Sequence, residues 1–468
     1  MTDFYLFYYI TLFVSLLFYA VAYRSFIKNG IFLSASNLTV ILYVFFIGLA
    51  GPYIASGVLF NAGFSQTLYN LYYAGIIIIP LFLICGNLFG EQVVISFLRA
   101  KRFFYRFNKI PYQRQKLTII TAFILIAGCI YFLNIDRIPL IELLKDPSIS
   151  KDLLAAYRNY LTHDFEIGNV NFIINLVLRF STIFLRYFSV ILLGIFFYWA
   201  LTKKRIRDWI LFSMWFVWVA FICVYNFEKA PFLWICLGLM VIYNVVKKNF
   251  PITKLLFLAA VLFLIMLLMY VYFMGASDYK IAFSEMMSRL FIVQSKFSYL
   301  HLNQYWSGEP LMGATYPLTF LDSLYGRDTI DISKITYQDI YSSYYDAYGI
   351  TGTTGGLNLA NLYMNFGYAL AFVIFSFLVF FVGLFDAVFC YLIKTDFYTP
   401  ATVSVYSFLS VHFSLAIVMS LDHTFQLPLF FNGIVIFVLL LYLFLIMPVK
   451  INRRFFPPAA IRINEKIS

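Results

Sequence analysis

Cationic side chains with a repeated spacing stand in or beside otherwise apolar runs of this sequence. Arg179 and Arg186 lie seven residues apart in one apolar run, which on a helix places them two turns apart on one face. Arg289 and Lys296 repeat this spacing in a later stretch. A guanidinium within a membrane span is costly and marks a functional site by default. Because arginine binds phosphate oxygens through a planar fork, the pattern suggests a bound phosphate group.

Two short turns between apolar runs carry further groups that could act on a substrate. Glu228 and Lys229 form either a plain solvated turn or a base beside a phosphate-binding cation. Asp422 and His423 stand in a second turn, where a histidine beside a carboxylate could act as a base, although a lone histidine is usually structural. Arg327 adds a cation in a long polar stretch.

The arginines of the apolar run also have a purely structural interpretation. Arg179 and Arg186 could pair with carboxylates of neighbouring helices and only hold those helices together. The sequence leaves this alternative open beside the phosphate-binding one.

Motifs for nucleotides and metals are missing from the sequence. There is no Gly-x-x-x-x-Gly-Lys loop and no His-Glu-x-x-His pair among the four histidines. The five cysteines stand in apolar runs without metal-ligand spacing. We therefore expect no cofactor and no metal, and the sequence argues against an ATP-driven pump and a zinc protease.

Composition places the elements that carry these groups in a membrane. Apolar residues make up 62% of the 468 residues and charged residues 12%, against about 25% charged in soluble domains. A helix needs about 20 apolar residues to cross the bilayer core. This criterion predicts an all-α polytopic membrane protein with eleven spans, near 4–23, 37–58, 68–90, 117–134, 172–202, 209–226, 231–246, 255–275, 358–393, 399–420 and 427–449. The run 358–393 is too long for one upright helix, so we expect an interfacial start or a strong tilt.

The distribution of charge predicts the orientation of the spans. Alternating loops, with the C-terminal segment 450–468, hold 22 of the 34 basic residues but only four acidic ones. The positive-inside rule makes these loops cytoplasmic, with the N-terminus outside and the C-terminus inside. The basic excess thus reflects topology and contact with anionic lipid rather than nucleic-acid binding.

Two long loops fall on the predicted outer side, at 135–171 and 276–357. The second divides the chain into spans one to eight (1–275), a loop subdomain (276–357), spans nine to eleven (358–449) and a cytoplasmic tail (450–468). Because this loop is rich in tyrosine, we expect short amphipathic helices over the outer mouth of the bundle instead of a disordered linker. Cations for a diphosphate and aromatic rings for sugar stacking together suggest a lipid-linked diphosphate sugar as the substrate.

Segments within this loop and directly after it carry a family resemblance. They read Tyr316-Pro317-Leu318-Thr319-Phe320, Tyr325-Gly326-Arg327, Gly355-Gly356-Leu357-Asn358 and Tyr363-Met364-Asn365-Phe366-Gly367. With the span count and the large late loop, they resemble the bacterial O-antigen, or polysaccharide repeat-unit, polymerase (Wzy) family. The last stretch looks like the Tyr-x-Asn-Phe-Gly element that opens the span after the loop in many such polymerases.

The resemblance implies a GT-C-like glycosyltransferase of the bacterial inner membrane. Its partners would be undecaprenyl-diphosphate-linked oligosaccharides as donor and acceptor, with a chain-length regulator protein as a further partner. In such an enzyme we expect the cations to bind the diphosphate and an acidic group or histidine to be the base. The diphosphate set is Arg179, Arg186, Lys229, Arg289 and Arg327, and the candidate bases are Glu228, Asp422 and His423.

Two other functions remain open at this point. An O-antigen ligase has a similar layout and transfers the glycan to lipid A core instead. A lipid-linked oligosaccharide flippase or other secondary transporter belongs to a different class, and such proteins often show internal repeats and charges at the bilayer midplane. The sequence has no evident repeat, and most of its non-cytoplasmic charge lies in the long loops, which favours a polymerase.

Overall fold

The structure is a computed structural model of the full chain. It describes residues 2–27, 31–48, 66–96, 113–159 except 136 and 147, 184–225, 230–248, 278–305 except 292, 308–315, 332–340, 356–394, 399–420 and 433–446, with isolated positions at 161, 257–271, 330 and 342.

Helices make up nearly all of the described chain. They are α1 (Thr2–Ile27), α2 (Ala35–Tyr43), α3 (Gln66–Phe89), α4 (Gln113–Leu133), α5 (Pro139–Lys145), α6 (Lys151–Asn159), α7 (Ser189–Lys203), α8 (Ile206–Val224), α9 (Ala230–Lys247), α10 (Tyr279–Phe291), α11 (Val293–Tyr305), α12 (Ile332–Ile340), α13 (Asn358–Lys394), α14 (Pro400–Val418) and α15 (Gly433–Ile446). Single π-helical turns follow α2 and α3 and precede α7, at Val44–Gly48, Gly90–Val94 and Phe184–Phe188. Two-residue strands β1 (Gly356–Leu357) and β2 (Met419–Ser420) pair antiparallel.

Six helices of the described chain are long and apolar enough to cross a membrane. They are Thr67–Val94, Lys116–Leu133, Leu185–Lys203, Ile206–Val224, Asn358–Lys394 and Pro400–Val418. Shorter apolar helices lie at Leu6–Ala22, Ala35–Phe46 and Pro231–Lys247. The chain is therefore an all-α polytopic membrane protein. Shorter helices or parts of helices match four more predicted spans, 4–23, 37–58, 231–246 and 427–449. The predicted span 255–275 lies largely outside the described residues.

Helix α14 forms the centre of the bundle. Nearly all of its side chains are buried, and α2, α7, α9 and α13 pack around it. At the periphery, α8 exposes Ile206, Ile210, Met214 and Val217, which share one helical face. An exposed apolar stripe on a membrane helix is the surface expected to face lipid.

The two ends of the bundle differ in character. At one end, called here the basic end, several helices begin or end with exposed cations: Lys203, Lys204, Arg205, Arg207, Lys247, Lys248 and Lys394. The opposite end, called here the loop end, carries the shorter helices of the two long loops. There α10 packs on the π-turn after α2, and α11 packs on β1. The exposed cations of these helix ends thus lie opposite the short helices of the long loops.

The described part of the loop 135–171 is attached to the bundle. The backbone N–H of Leu140 donates to the carbonyl of Tyr225 at 3.1 Å, which attaches α5 to the end of α8. Between α5 and α6, the hydroxyl and the backbone N–H of Ser148 both donate to Asp146. These hydrogen bonds hold the pKa of the Asp146 carboxyl below its ordinary value.

The loop 276–357 contains the short helices that its composition predicts. They are α10, α11 and α12. Ala282 and Met286 of α10 are buried against Phe263, Leu267 and Val271. Those three residues recur every four positions, so one face of the predicted eighth span supports α10.

Helix α13 is broken near its start. Gly367 has φ 71° and ψ 179°, a conformation open almost only to glycine. The break separates a short segment, residues 358–366, from a long one, residues 368–394. The run that was too long for one upright helix is thus divided at the final glycine of the Tyr-x-Asn-Phe-Gly element.

Candidate functional site

Most of the predicted site residues lie outside the described chain. These are Arg179, Arg327, the pair Glu228 and Lys229, and the pair Asp422 and His423. Arg289 belongs to α10, but its side chain is not among those described. The convergence of these groups on one cavity therefore stays a prediction.

Arg186 is the predicted site residue whose position the structure gives. It is half-buried within the π-turn Phe184–Phe188, which packs against α4 and α8. Arg186 precedes Lys203, at the basic end, by 17 positions, which corresponds to about 25 Å of helix. It therefore lies toward the loop end. Isolated π-turns are frequently found at functional sites.

The residue after Arg186 reaches the central helix. Tyr187 packs edge-on against Phe408 of α14, with ring centroids 5.8 Å apart. Phe408 in turn stacks on the buried His412, also at 5.8 Å. An aromatic contact thus fixes the π-turn against α14. No sequence pattern predicts this position for His412.

A set of buried polar residues gathers at the loop end. This loop-end cluster consists of Ser298, His301, Thr315, Asn361 and Asn365, none of which is more than 8% exposed. Its members come from α11, from the segment 308–315 and from the short segment of α13. Polar contacts join the segment 308–315 to α13, and a further polar contact joins α11 to β1, which leads into α13.

Asn365 and Thr315 hold the segment 308–315 to α13. The Asn365 amide donates to the Thr315 hydroxyl at 2.6 Å and to the carbonyl of Asn361 at 2.7 Å. The Thr315 hydroxyl donates to Oδ1 of Asn361 at 2.9 Å, and the Thr315 N–H donates to Oδ1 of Asn365 at 3.3 Å. Such mutually satisfied buried groups fix a unique geometry.

The break at Gly367 makes further contacts possible. Carbonyls just before a helix end have no partner within the helix. Two of them, on Met364 and Asn365, accept hydrogen bonds from the N–H groups of Leu311 and Met312 at 3.0 and 2.9 Å. The segment 308–315 is therefore docked on the helix break through its backbone as well as its side chains.

Ser298 and His301 support the small strand pair. The Leu357 N–H donates to the Ser298 hydroxyl at 2.7 Å. A Cβ on Gly356 would lie 3.2 Å from Oγ of Ser298 and 3.4 Å from Nδ1 of His301, so β1 fits closely against α11. Gly356 pairs with Ser420, two positions before Asp422. Strand β2 is the last described part of the chain before the predicted Asp-His turn.

Tyrosine rings flank the break. Tyr363 and Tyr368 stand on either side of Gly367, with ring centroids 4.3 Å apart. Tyr363 is buried, whereas Tyr368 is partly exposed at the start of the long segment.

The break also creates a new helix start. The first-turn N–H groups of a new helical segment have no partners within that segment, and such a terminus favours an anion. Aromatic rings beside it could pack on a sugar.

No three histidine, cysteine, aspartate or glutamate side chains come together to hold a metal ion within the part of the chain that the structure describes. The loop-end cluster consists instead of hydroxyl, amide and imidazole groups. These groups are buried, and the hydrogen bonds described above use them to fix the geometry of this end of the bundle.

Sequence reasoning did not find most of the loop-end cluster. Asn365 stands out in the sequence only as part of the family-like element, and no sequence pattern assigns a role to Ser298, Thr315 or Asn361. A signal was present in the four-residue spacing of Asn361 and Asn365, which places two amides on one helical face. Their partner Thr315 lies 46 positions before Asn361, and no local pattern connects the two.

No family model, curated protein or solved structure matches this chain.

Proposed function

We propose that the protein is a polysaccharide polymerase of the bacterial inner membrane. It transfers a growing glycan from undecaprenyl diphosphate to a new lipid-linked repeat unit, at the loop end of the bundle, which faces outward. Its fold is GT-C-like, and it needs neither a nucleotide sugar nor a metal.

The observation that carries this proposal is the helix break at Gly367. The family-like element Tyr363–Gly367 ends at this break, and the buried cluster Thr315, Asn361 and Asn365 fixes its geometry. The break creates a helix start beside partly exposed Tyr368. A lipid-linked diphosphate sugar offers an anion for the helix start and a ring face for the aromatic side chain.

The chemical step is a displacement at the anomeric carbon of the donor. A hydroxyl oxygen of the acceptor sugar forms the new bond to that carbon, and the bond from the carbon to the diphosphate oxygen breaks. The electron pair leaves with undecaprenyl diphosphate, and the hydroxyl proton passes to a base. A single displacement inverts the configuration of the anomeric carbon.

The predicted residues divide between two roles in this step. Cations stabilise the growing charge of the diphosphate, and the candidates are Arg179, Arg186, Lys229, Arg289 and Arg327. The base is one of Glu228, Asp422 and His423, and general-base assistance is typically worth about 10²–10⁴-fold in rate.

Deletion of the gene followed by electrophoresis of the surface polysaccharide tests this function. The proposal expects single repeat units on the lipid A core, with long chains restored by the full-length protein. Loss of all repeat units from the core would instead indicate a ligase or a flippase. An unchanged polysaccharide would rule out all three.

A further inference from the structure

A second buried polar cluster lies toward the basic end, away from the site described above. This basic-end cluster surrounds the start of α2 and is centred on Asp386 of α13, which is 1% exposed. Asp386 precedes Lys394, the last residue of α13, by eight positions, or about 12 Å of helix. The carboxylate therefore lies well inside the bundle and not at its surface.

Helix α2 begins inside the bundle. With its π-turn it spans Ala35–Gly48, or about 21 Å, which is short of the roughly 30 Å of a bilayer core. Leu33 and Ser34, which lead into it, are not helical but are buried. Backbone groups at this depth have no water to bind and must be satisfied by the protein.

Four N–H groups of this buried start donate to side chains of the protein. The N–H groups of Ala35, Ser36 and Asn37 donate to the Tyr406 hydroxyl at 3.3 Å, the Asp386 carboxylate at 3.2 Å and the Ser34 hydroxyl at 3.3 Å. Two residues before Ala35, the N–H of Leu33 donates to Oδ1 of Asn244 at 2.8 Å. A carboxylate is also the favoured charge at a helix start, because the helix dipole is positive there.

The partners come from most of the surrounding helices. Tyr406 of α14 donates to Asp386 at 2.7 Å, and Asn87 of α3 donates to the Ser36 hydroxyl at 2.9 Å. Tyr19 of α1 donates to Asn37 at 2.9 Å. Together with α9, which supplies Asn244, five helices are tied to the start of α2.

We infer that the basic-end cluster permanently seals this end of the bundle. Opening a path from the basic end would expose the start of α2 and separate Asp386 from the donors that satisfy it. A buried carboxylate that loses its partners is strongly unfavourable. The seal makes alternating access from the basic end unfavourable, and the inference stands whether or not the protein is a polymerase.

Thiol labelling of the full chain in native membranes tests the seal. Ser36→Cys places a thiol beside Asp386, and Lys394→Cys places one at the exposed basic end as a matched control. Both are treated with N-ethylmaleimide, and the modification of each site is followed by peptide mass spectrometry. Reaction of a buried thiol requires local opening of the structure. We expect Ser36→Cys to react at least about tenfold more slowly than the control, and a smaller difference would overturn the inference.

Two variants test whether the polar contacts make the seal. In the Ser36→Cys background, Asp386→Asn removes the charge and leaves fewer acceptors for the converging donors, and we expect labelling to accelerate at least about tenfold. Tyr406→Phe keeps the ring, which stacks on Phe385 and Phe389, and removes only the hydroxyl. Tyr406→Phe should therefore accelerate the labelling at position 36, and it tests the contacts even if the Asp386→Asn variant fails to accumulate. Labelling that stays unchanged in both variants would contradict the role assigned to these contacts.

Discussion

Gly86 of α3 and Gly383 of α13 each lie against the backbone of the other helix. A Cβ on Gly86 would lie 1.9 Å from the carbonyl oxygen of Phe380, and a Cβ on Gly383 would lie 2.3 Å from that of Leu83. Without a water-driven hydrophobic force between helices, close backbone packing of small residues holds membrane helices together. Because α13 carries the break at Gly367, this contact also supports the candidate site.

We predict that Gly86→Val and Gly383→Val strongly reduce the amount of folded protein. Neither backbone can move without separating the two helices, and overpacking in a core costs about 1–3 kcal/mol or more. The amount of monodisperse protein recovered from membranes measures the effect. Gly238→Ala is the control, because its Cβ would meet only the Ser407 hydroxyl at 3.4 Å. Normal recovery of both valine variants would show that these helices do not pack in this way.

Thr315→Val should loosen the segment 308–315 without changing the volume of the side chain. It removes the hydroxyl that donates to Oδ1 of Asn361 and accepts from the Asn365 amide, whereas the Asn365 amide still donates to Asn361. We expect a cost of about 0.5–1.5 kcal/mol for each lost hydrogen bond. We expect a lower melting temperature and faster proteolysis within 308–315. Glu309→Ala, at an exposed position of the same segment, is the control. Equal proteolysis of the two variants would mean that the polar contacts do not hold the segment.

Gly367→Ala should affect the site more than the bundle. A Cβ at φ 71° and ψ 179° is strained by about 1–3 kcal/mol, and a continuous helix would relieve that strain. A continuous helix would use the carbonyls of Met364 and Asn365 within the helix. Their hydrogen bonds from the N–H groups of Leu311 and Met312 would then be lost. We therefore expect shorter polysaccharide chains at near-normal protein abundance.

Leu370→Ala provides the comparison for Gly367→Ala. Leu370 is exposed and lies just after the break, so its truncation changes neither the break nor the docked segment. We expect chain length in this variant to match that of the native protein. Native chain length in Gly367→Ala, measured in the same strain, would argue against the proposed role of the break.

The sequence predicted the helical elements better than their polar contacts. Hydropathy located the six helices of the described chain that are long enough to cross a membrane, because apolar runs of sufficient length have few alternatives in a bilayer. The excess length of 358–393 indicated that one upright helix would not suffice. The position of the break could not be predicted, because a glycine within an apolar run is also compatible with a continuous helix. The backbone conformation of Gly367 shows where the break lies.

The contacts of Asp386 illustrate what sequence alone could not supply. The sequence placed it within a span but gave no partner, and its backbone donor at Ser36 lies 350 positions away. Ser404, Ser407, Ser410 and Ser414 similarly belong to a run that reads as an ordinary span. They are buried because α14 is central, a property set by the packing of the other helices.

The predicted diphosphate-binding cations give a direct test of the proposed site. We expect Arg179→Ala, Arg186→Ala, Lys229→Ala and Arg289→Ala each to reduce transfer by about tenfold to a hundredfold. Each charge-assisted contact is worth about 1.5–3 kcal/mol, and it lowers the barrier if it strengthens as the charge develops. Lysine should replace the arginines poorly, because it lacks the planar fork.

Arg137→Ala is the matched control for the cations. Arg137 is exposed, and its guanidinium lies 5.0 Å from the Tyr157 ring, within the loop 135–171. An exposed contact of this kind is worth about 0.5–1 kcal/mol, so native chain length is expected. Polymer length and membrane abundance are measured together for all five variants. If the arginines only pair with carboxylates and hold the helices together, their alanine variants should show both lower membrane abundance and shorter polymer. Long polymer at normal abundance in the four test variants would instead remove these residues from the site while leaving the fold unaffected.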